Sequence, residues 1–468
     1  MLGERSNVGA HPRLQRGYGM KWSRSRVASI AALGAASALV LGACSSNSGS
    51  SPSAPASSDS SSTTDAPSDD DTASGEQVEL SVAFWGDFGL QSEGDNLVEQ
   101  YESENPNIKI KLIPGEHPAT HEALQQYLIA GSGAPDVQAI DLDYVVQFRQ
   151  QSDKFVNLLE YGAGDYKDRY LDWKWAQMES DGGNVNIGLG TDIGPQVMCY
   201  RWDLFQEAGL PYERDEVSAA IGGSWDDFIE FGKKYVEASG KKFVDNAVNI
   251  YQPVLGQQPV ASFTEDEQLA LEGGPKVAFD TALKVIEAGL SANLAAWSPE
   301  WNAGFENGDF AVLACPAWMR GHIKNSAPST EGKWDLATIP GGGGNWGGSF
   351  WTIPAQSAHP QEAYDFIEWL IQPEQQIRIF KNVGNLPSQI AVLESEEIQN
   401  STDPFFNNAP DGKIFGESAL ALKPQYIGVN ESIVRNAMQN ALNAVQGDQL
   451  AAADAWDKAV ADVNAELP

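Results

Sequence analysis

Fourteen of the 468 residues are tryptophans, and some of them stand close to charged residues at points where predicted strands end. Asp87 lies two residues after Trp85, and Arg320 lies two residues after Trp318. An indole ring offers a flat apolar surface, while carboxylates and guanidinium groups can hydrogen-bond hydroxyls. This combination indicates contacts with a planar ligand or a sugar, with burial in a core as the alternative for each tryptophan.

No group of side chains has the spacing of a catalytic or metal site. The five histidines include His117 and His121, which lie four residues apart at the start of a predicted helix, where we expect them to be exposed. The run Gly341–Gly344 lacks the Gly-Lys-Ser/Thr ending of a phosphate-binding loop, so we interpret it as a flexible turn. We therefore predict no catalytic residues, no cofactor and no metal.

Composition restricts the class of protein further. The length fits two domains, and the formal net charge of −34 would repel a phosphate backbone, which argues against a nucleic-acid binder. Three cysteines, Cys44, Cys199 and Cys315, are too few for a multi-cysteine zinc or iron–sulfur protein.

The first 43 residues have the order of a secretory signal: a basic stretch, an uncharged apolar run and small residues. Met20 begins a shorter version of the same signal. The sequence Leu41-Gly42-Ala43-Cys44 resembles the lipobox of bacterial lipoproteins, which implies cleavage before Cys44 and acylation of its thiol. Residues 44–76 are rich in Ser, Ala, Pro and Asp and contain no aromatic residue, so we predict a disordered tether.

Strands and helices alternate in the body of the chain. Strands predicted at 78–84, 108–113 and 136–141 are separated by helix-like stretches, which implies a parallel sheet flanked by helices. Ligands of such α/β sheets lie beyond the carboxyl ends of the strands, where Asp87, Glu116 and Asp143 occur. A second α/β set includes strands at 196–200 and 310–315.

Seven motifs in this order resemble the family 1 extracellular solute-binding proteins of carbohydrate ABC importers, over about residues 80–467. They are Ala134-Pro135-Asp136-Val137, the stretch from Tyr200-Arg201-Trp202 to Ala208-Gly209-Leu210, Trp225-Asp226-Asp227-Phe228, Phe305-Glu306-Asn307-Gly308-Asp309-Phe310 before Trp318, Gly347-Gly348 before Ile353-Pro354, His359-Pro360-Gln361-Glu362-Ala363, and Leu386-Pro387.

The resemblance implies a two-lobe α/β fold of the periplasmic-binding-protein type, with hinge strands between the lobes. The first lobe would hold residues 77–192 and 333–387, and the second would hold 193–332 and 388–468. It also implies a monomeric, non-enzymatic protein, lipid-anchored to the outer face of the cell membrane. This protein would deliver a sugar to the permease subunits of an ABC importer.

A narrower resemblance links Leu313–Met319 and Pro340–Phe350 to the actinobacterial cello-oligosaccharide-binding branch, which makes a gluco-oligosaccharide the first ligand expected. Trp318 matches the stacking aromatic residue of the family's second lobe, and Asp87 and Asp143 match polar ligand contacts. The full set of candidate ligand-binding residues is Trp85, Asp87, Glu116, Asp143, Asp192, Trp297, Trp301, Trp318, Arg320, Trp346 and Trp351.

With Cys44 acylated, Cys199 and Cys315 form an even pair in an oxidising compartment, and the resemblance places both strands in the second lobe, so we predict a disulfide between them. An anchored glycoside hydrolase is the main alternative function, because aromatic and carboxylate residues in a cleft suit both classes. An anchored adhesin is a third and weaker option.

Overall fold

The computed structural model describes residues 77–467. The predicted leader, the acylation site at Cys44 and the tether lie outside these residues. The strands are β1 Val78–Trp85, β2 Gln91–Ser92, β3 Asp95–Asn96, β4 Ile108–Gly115, β5 Val137–Asp141, β6 Glu179–Ser180, β7 Val185–Asn186, β8 Gly188–Gly190, β9 Asp192–Ile193, β10 Gln196–Arg201, β11 Val312–Pro316, β12 Trp334–Ala337, β13 Ser349–Thr352 and β14 Leu386–Pro387.

The α-helices are α1 Leu97–Glu104, α2 His117–Ala130, α3 Leu142–Arg149, α4 Asp172–Ala176, α5 Trp202–Glu207, α6 Arg214–Ile221, α7 Trp225–Ser239, α8 Val248–Gly256, α9 Gly274–Glu287, α10 Pro299–Asn307, α11 Met319–Ser326, α12 Pro360–Leu370, α13 Pro373–Val383, α14 Ile390–Leu393, α15 Glu396–Gln399, α16 Asp411–Ala421, α17 Glu431–Gln446 and α18 Ala452–Glu466. Short 3-10 turns occupy Ser152–Lys154, Leu158–Tyr161, Ala163–Arg169, Asp181–Gly183, Pro328–Thr330 and Pro404–Phe406.

Five strands form the first sheet, in the order β4-β1-β5-β13-β8. β1 pairs in parallel with β4 and β5, as the alternation of strands and helices predicted. β13 enters antiparallel between β5 and β8, although it lies more than 200 residues from β5 in the sequence. The buried side chains of β1, such as Leu80 and Val82, pack in a core that also contains Phe366 and Ile367 of α12.

The second sheet has three antiparallel strands in the order β11-β10-β12. Cys199 of β10 lies opposite Leu336 of β12, and both are fully buried. Trp334–Ala337 therefore belongs to the second sheet, so the lobe boundary predicted at residue 333 is too early. The error arises because β12 is a short strand that is defined by its pairing partner rather than by its own pattern.

Three chain segments connect the two sheets. β9 pairs with β14, and residues 344–346 run beside 194–196, where Gln196 N donates to Gly344 O at 2.8 Å and Trp346 N donates to Gly194 O at 2.8 Å. Such paired crossings restrict the possible motion to rotation about a few residues.

A disulfide joins Cys199 of β10 to Cys315 of β11, with 5.5 Å between the Cα atoms. The two residues are diagonal neighbours in the antiparallel pair, because Cys315 lies opposite Val197 and Cys199 opposite Leu313. The bond encloses a chain segment with a sequence separation of 116 residues.

Local signals set several helix ends. Ser224 Oγ accepts a hydrogen bond from Asp227 N at 3.1 Å and begins α7, as in a capping box. At the C-terminal end of the described residues, α17 and α18 are separated by a break near Gly447. No helix within residues 77–467 is both long and apolar enough to span a membrane.

Candidate functional site

A cavity of about 380 Å³ lies between residues that follow the first sheet and helices that pack on the second. Leu142, Asp143 and Arg149 of α3 form one wall. Gln252 of α8 and Arg435 of α17 belong to the opposite wall. The volume is within the range of cavities that bind small ligands.

The charged residues that line the cavity balance one another. Three are acidic and three are basic: Asp143, Glu265 and Glu431, with Arg149, Lys423 and Arg435. The whole chain, in contrast, has 64 acidic and 30 basic residues. A cavity without excess charge favours an uncharged ligand that offers both hydrogen-bond donors and acceptors.

An ion pair crosses the cavity from α3 to α17. Arg435 Nη1 lies 2.5 Å from Asp143 Oδ1. Burial acts against the charge of Arg435, but Asp143, together with Glu431 and Asp141, raises the pKa of the guanidinium. Arg435 is therefore a permanent cation held at the wall of the cavity.

A histidine and a second carboxylate lie beside this pair. His117 Nε2 is 3.7 Å from Asp141 Oδ1. Burial opposes the charged imidazole, but the carboxylates of Asp141 and Asp143 outweigh it and raise the pKa of His117. Burial and the nearby charge of Asp143 raise the pKa of Asp141.

His121 is buried, so the expectation that it is exposed is wrong. Its ring stacks on Tyr144 at 3.9 Å and lies 4.6 Å from the Trp85 ring, and the two rings shield it from water. Burial lowers its pKa to about 4. Nε2 accepts the N–H of Asp141 at 3.0 Å, so the proton of the neutral ring is on Nδ1, which donates to His117 O at 2.7 Å.

Three tryptophans form an aromatic group beside the cavity. The Trp318 ring centroid is 6.0 Å from that of Trp297 and 5.5 Å from that of Trp346, which follows the cavity-lining residue Asn345. Trp297 is 53% exposed and has a positive φ of 70°, which is unusual for a bulky residue and indicates strain that the surrounding contacts must offset.

The aromatic group and Asp141 meet at one glycine. A Cβ atom built on Gly347 would lie 3.6 Å from Trp318 Nε1 and 3.7 Å from Asp141 Oδ2. Gly347 also has a positive φ, of 81°, and lies two residues after Asn345. The structure thus brings Asp141 at the end of β5 close to Trp318, two residues after the end of β11, as ligand sites in such sheets require.

Of the predicted site residues, Asp143 lines the cavity, and Trp85 is half-buried with its ring 5.1 Å from that of His117. Asp87 and Glu116 are exposed at the ends of β1 and β4 and are not among the cavity-lining residues. Asp87 Oδ1 accepts the N–H of Gly89 at 2.8 Å, which is a local turn contact.

Four other predicted site residues are buried away from the cavity. The Trp301 ring is fully buried and donates to Asp245 Oδ2 at 2.8 Å, and Trp351 packs in the core of the first sheet. Asp192 Oδ1 accepts the N–H of Ser349 at 2.9 Å, which ties two chain crossings together. These residues support the fold.

Arg320 is the fourth predicted site residue that is buried away from the cavity. It is 3% exposed, and its Nη1 is paired with Asp403 Oδ2 at 3.0 Å and with Asp411. Because both carboxylates are also buried, the guanidinium is already neutralised and hydrogen-bonded inside the second lobe. A ligand could not reach it without breaking this network.

A lysine is buried beneath the chain crossings. Lys174 is 1% exposed, and its Nζ lies 3.5 Å from the centre of the Phe350 ring. Burial lowers its pKa to about 7, although the charges of Asp192 and Asp141 act in the opposite direction. Sequence reasoning missed this residue, because nothing in its neighbourhood marks it as buried.

Only some of the residues that sequence reasoning missed have a usable local signal. The spacing of His117 and His121 placed them on one helix face, but their burial depends on Trp85 and Tyr144 from other segments. Arg435 stands on an ordinary amphipathic helix and has no local signal.

Within residues 77–467 no cluster of three or more histidine, cysteine or acidic side chains is arranged to hold a metal ion.

Comparisons with known proteins agree with this architecture. The profile of a family described as bacterial extracellular solute-binding protein matches residues 96–407. A crystal structure of an extracellular solute-binding protein of family 1 is 36% identical, with a TM-score of 0.73, and the match covers 83% of this chain and 99% of that one.

Two more distant proteins are also similar. An arabinooligosaccharide-binding protein of Halalkalibacterium halodurans is 24% identical over 72% of this chain and 78% of its own length. An ABC-transporter-associated binding protein from B. animalis subsp. lactis Bl-04, solved with beta-1,6-galactobiose, is 23% identical with a TM-score of 0.69 over 84% of this chain and 98% of that one. The two-lobe α/β fold class predicted from the sequence is confirmed.

Proposed function

Because the chain belongs to the bacterial extracellular solute-binding proteins, we propose that it binds a neutral gluco-oligosaccharide between its two lobes and delivers it to the permease of an ABC importer. The observation that carries the proposal is the charge-balanced cavity beside a group of tryptophans. Sugar rings present apolar C–H faces to aromatic planes and hydroxyls to paired charges.

The proposed ligand contacts are Asp143 and Arg435 for hydroxyls and Trp318 for a ring face, with Trp297 and Trp346 beside it. Cello-oligosaccharides are the first ligands to examine, on the resemblance of Leu313–Met319 and Pro340–Phe350 to that branch. The relatives named above bind arabino-oligosaccharide and galactobiose, so these sugars belong in the same panel.

In this proposal the first lobe comprises residues 77–192 and 349–387, and the second comprises 193–337 and 388–468. The intervening residues 338–348 form one of the crossings. The boundary after 337 follows the pairing of β12 with β10. The mature protein is anchored through acylated Cys44, with residues 45–76 as a tether that keeps the body away from the membrane.

A thermal-shift screen of neutral mono- and oligosaccharides tests the function. We expect cellobiose or longer cello-oligosaccharides to raise the unfolding temperature, because a ligand that binds only the folded state stabilises it by mass action. Stabilisation by another sugar class alone would remove the gluco-oligosaccharide assignment. Recovery of shortened sugars after incubation with cellotriose would instead favour the hydrolase.

Replacing Trp318 by alanine should weaken binding of the best sugar in that screen. We expect a loss of about 1–3 kcal/mol, using the cost of removing one aromatic stacking partner as a guide. Titration calorimetry measures the change. Trp369→Ala is the matched control, since Trp369 is also half-buried but packs on Tyr101, with 5.3 Å between the ring centroids, outside the cavity. Equal affinities of Trp318→Ala and wild type would show that the ring only packs.

Ligand binding should also close the lobes. A ligand that contacts both walls favours the closed arrangement by its difference in affinity for the two states. Small-angle scattering should therefore give a smaller radius of gyration in saturating ligand than without it. Superimposable profiles would argue against hinge closure.

A further inference from the structure

His117 and Asp141 form a pair that is separated by slightly more than hydrogen-bonding distance. The gap of 3.7 Å between His117 Nε2 and Asp141 Oδ1 is too long for a direct hydrogen bond. The His117 side chain is 36% exposed, and the Asp141 side chain is 12% exposed. A hydroxyl group placed beside the gap could accept from the imidazole and donate to the carboxylate.

The second oxygen of Asp141 is open to the same region. Oδ1 accepts the N–H of Asp143 at 2.8 Å and so begins α3, whereas Oδ2 receives no hydrogen bond from any residue within 77–467. Oδ2 points toward Gly347, where a Cβ atom would lie 3.7 Å away. Oδ2 has no donor among these residues but is not fully buried, so a ligand hydroxyl can reach it and donate to it.

Fold stability alone does not explain a cation at this place. His117 is the first residue of α2, where the partial positive charge of the helix end disfavours a cation and where Ser, Asp or Asn would be preferred nearby. Two carboxylates are needed to keep the imidazole charged. The charge is thus held beside Asp143 of the cavity wall, against the local preference of the helix.

The groups that surround His117 come from several elements. They are Asp141 at the end of β5, Asp143 and Tyr144 of α3, His121 of α2, Trp85 of β1 and Arg435 of α17. Arg435 lowers the pKa of His117, and the two carboxylates raise it. His121 stays neutral above about pH 4, whereas the pKa of His117 is raised, so His117 is the histidine of this cluster that carries the charge.

We infer that His117 and Asp141 together bind two neighbouring hydroxyl groups of one sugar ring, one bridging the gap between them and one donating to Asp141 Oδ2. This inference rests on the proposed function and names a specificity determinant of the same site. It assigns the ligand a ring with adjacent free hydroxyls at this position. It also makes affinity depend on the charge of His117.

Calorimetric titration of the full chain from pH 6 to 9, with cellotriose, arabinotriose and beta-1,6-galactobiose as probes, tests the inference. We expect the affinity of the best probe to fall as the pH rises through the pKa of His117, since the charged donor is lost. His117→Gln should bind about tenfold more weakly at pH 6, as expected for loss of a charged hydrogen bond, and should show no pH step. Asp141→Asn keeps the side-chain oxygen that caps α3. Its affinity should likewise show no fall as the pH rises through this range.

His359→Gln is the matched control, because His359 also stands at a helix start but forms no ion pair with a carboxylate within residues 77–467. It should behave as wild type. A wild-type pH profile in His117→Gln would overturn the inference while leaving the proposed function intact. Wild-type protein that binds none of the three sugars at any pH would overturn both.

Discussion

Replacing Lys174 by methionine is expected to raise the free energy of unfolding at pH 6 by about 3 kcal/mol, within the range seen when buried charges are replaced by apolar side chains. The pKa of Lys174 is about 7 in the folded protein and 10.5 when unperturbed. The folded state therefore binds fewer protons than the unfolded chain between these values. The destabilisation is complete below pH 7 and disappears as the pH rises to 10.5.

Urea denaturation of wild type and Lys174→Met at pH 6 and pH 10 measures the difference. We expect the stabilisation by methionine to shrink strongly at pH 10. Lys233→Met is the control, because Lys233 is exposed and pairs with Glu230 on α7, and it should change stability little at either pH. Equal or lower stability of Lys174→Met at pH 6 would show that Asp192 and Asp141 compensate for burial.

Reduction of the disulfide between Cys199 and Cys315 has the second large expected effect. In the chain-entropy treatment, a crosslink across a segment of this length stabilises by up to about 4–5 kcal/mol. Urea midpoints with and without a phosphine reductant should differ accordingly. The double variant Cys199→Ala/Cys315→Ala should be insensitive to the reductant.

A thiol count tests the same bond independently. In a Cys44→Ala background, Cys199 and Cys315 are the remaining cysteines. The denatured, unreduced protein should then show no reactive thiol. Two reactive thiols would contradict the disulfide.

Local patterns in the sequence were sufficient for β1, β4 and β5, because strand alternation depends on neighbours along the chain. They could not place β12, whose partner β10 lies more than 130 residues away. The same limit applies to the site. Asp143 was predicted from its strand end, whereas Arg435 becomes a site residue only when α17 packs across the cavity.

Burial was the other quantity that the sequence could not supply. Trp301 and Trp318 both looked like ligand contacts, but Trp301 bonds to Asp245 in the core while Trp318 stays half-buried. The tertiary packing around each ring therefore determines that Trp301 is a core residue and that Trp318 remains partly accessible. Similarly, His121 is buried by aromatic rings from β1 and α3.

The central claim is that a neutral oligosaccharide binds between the two lobes, and a crystal structure of the protein grown with saturating sugar tests it most directly. With cellotriose, we predict sugar rings in the cavity lined by Asp143 and Arg435, with one ring face within about 4 Å of Trp318. Crystals grown with cellotriose, arabinotriose or beta-1,6-galactobiose that contain no sugar in this cavity would contradict the account.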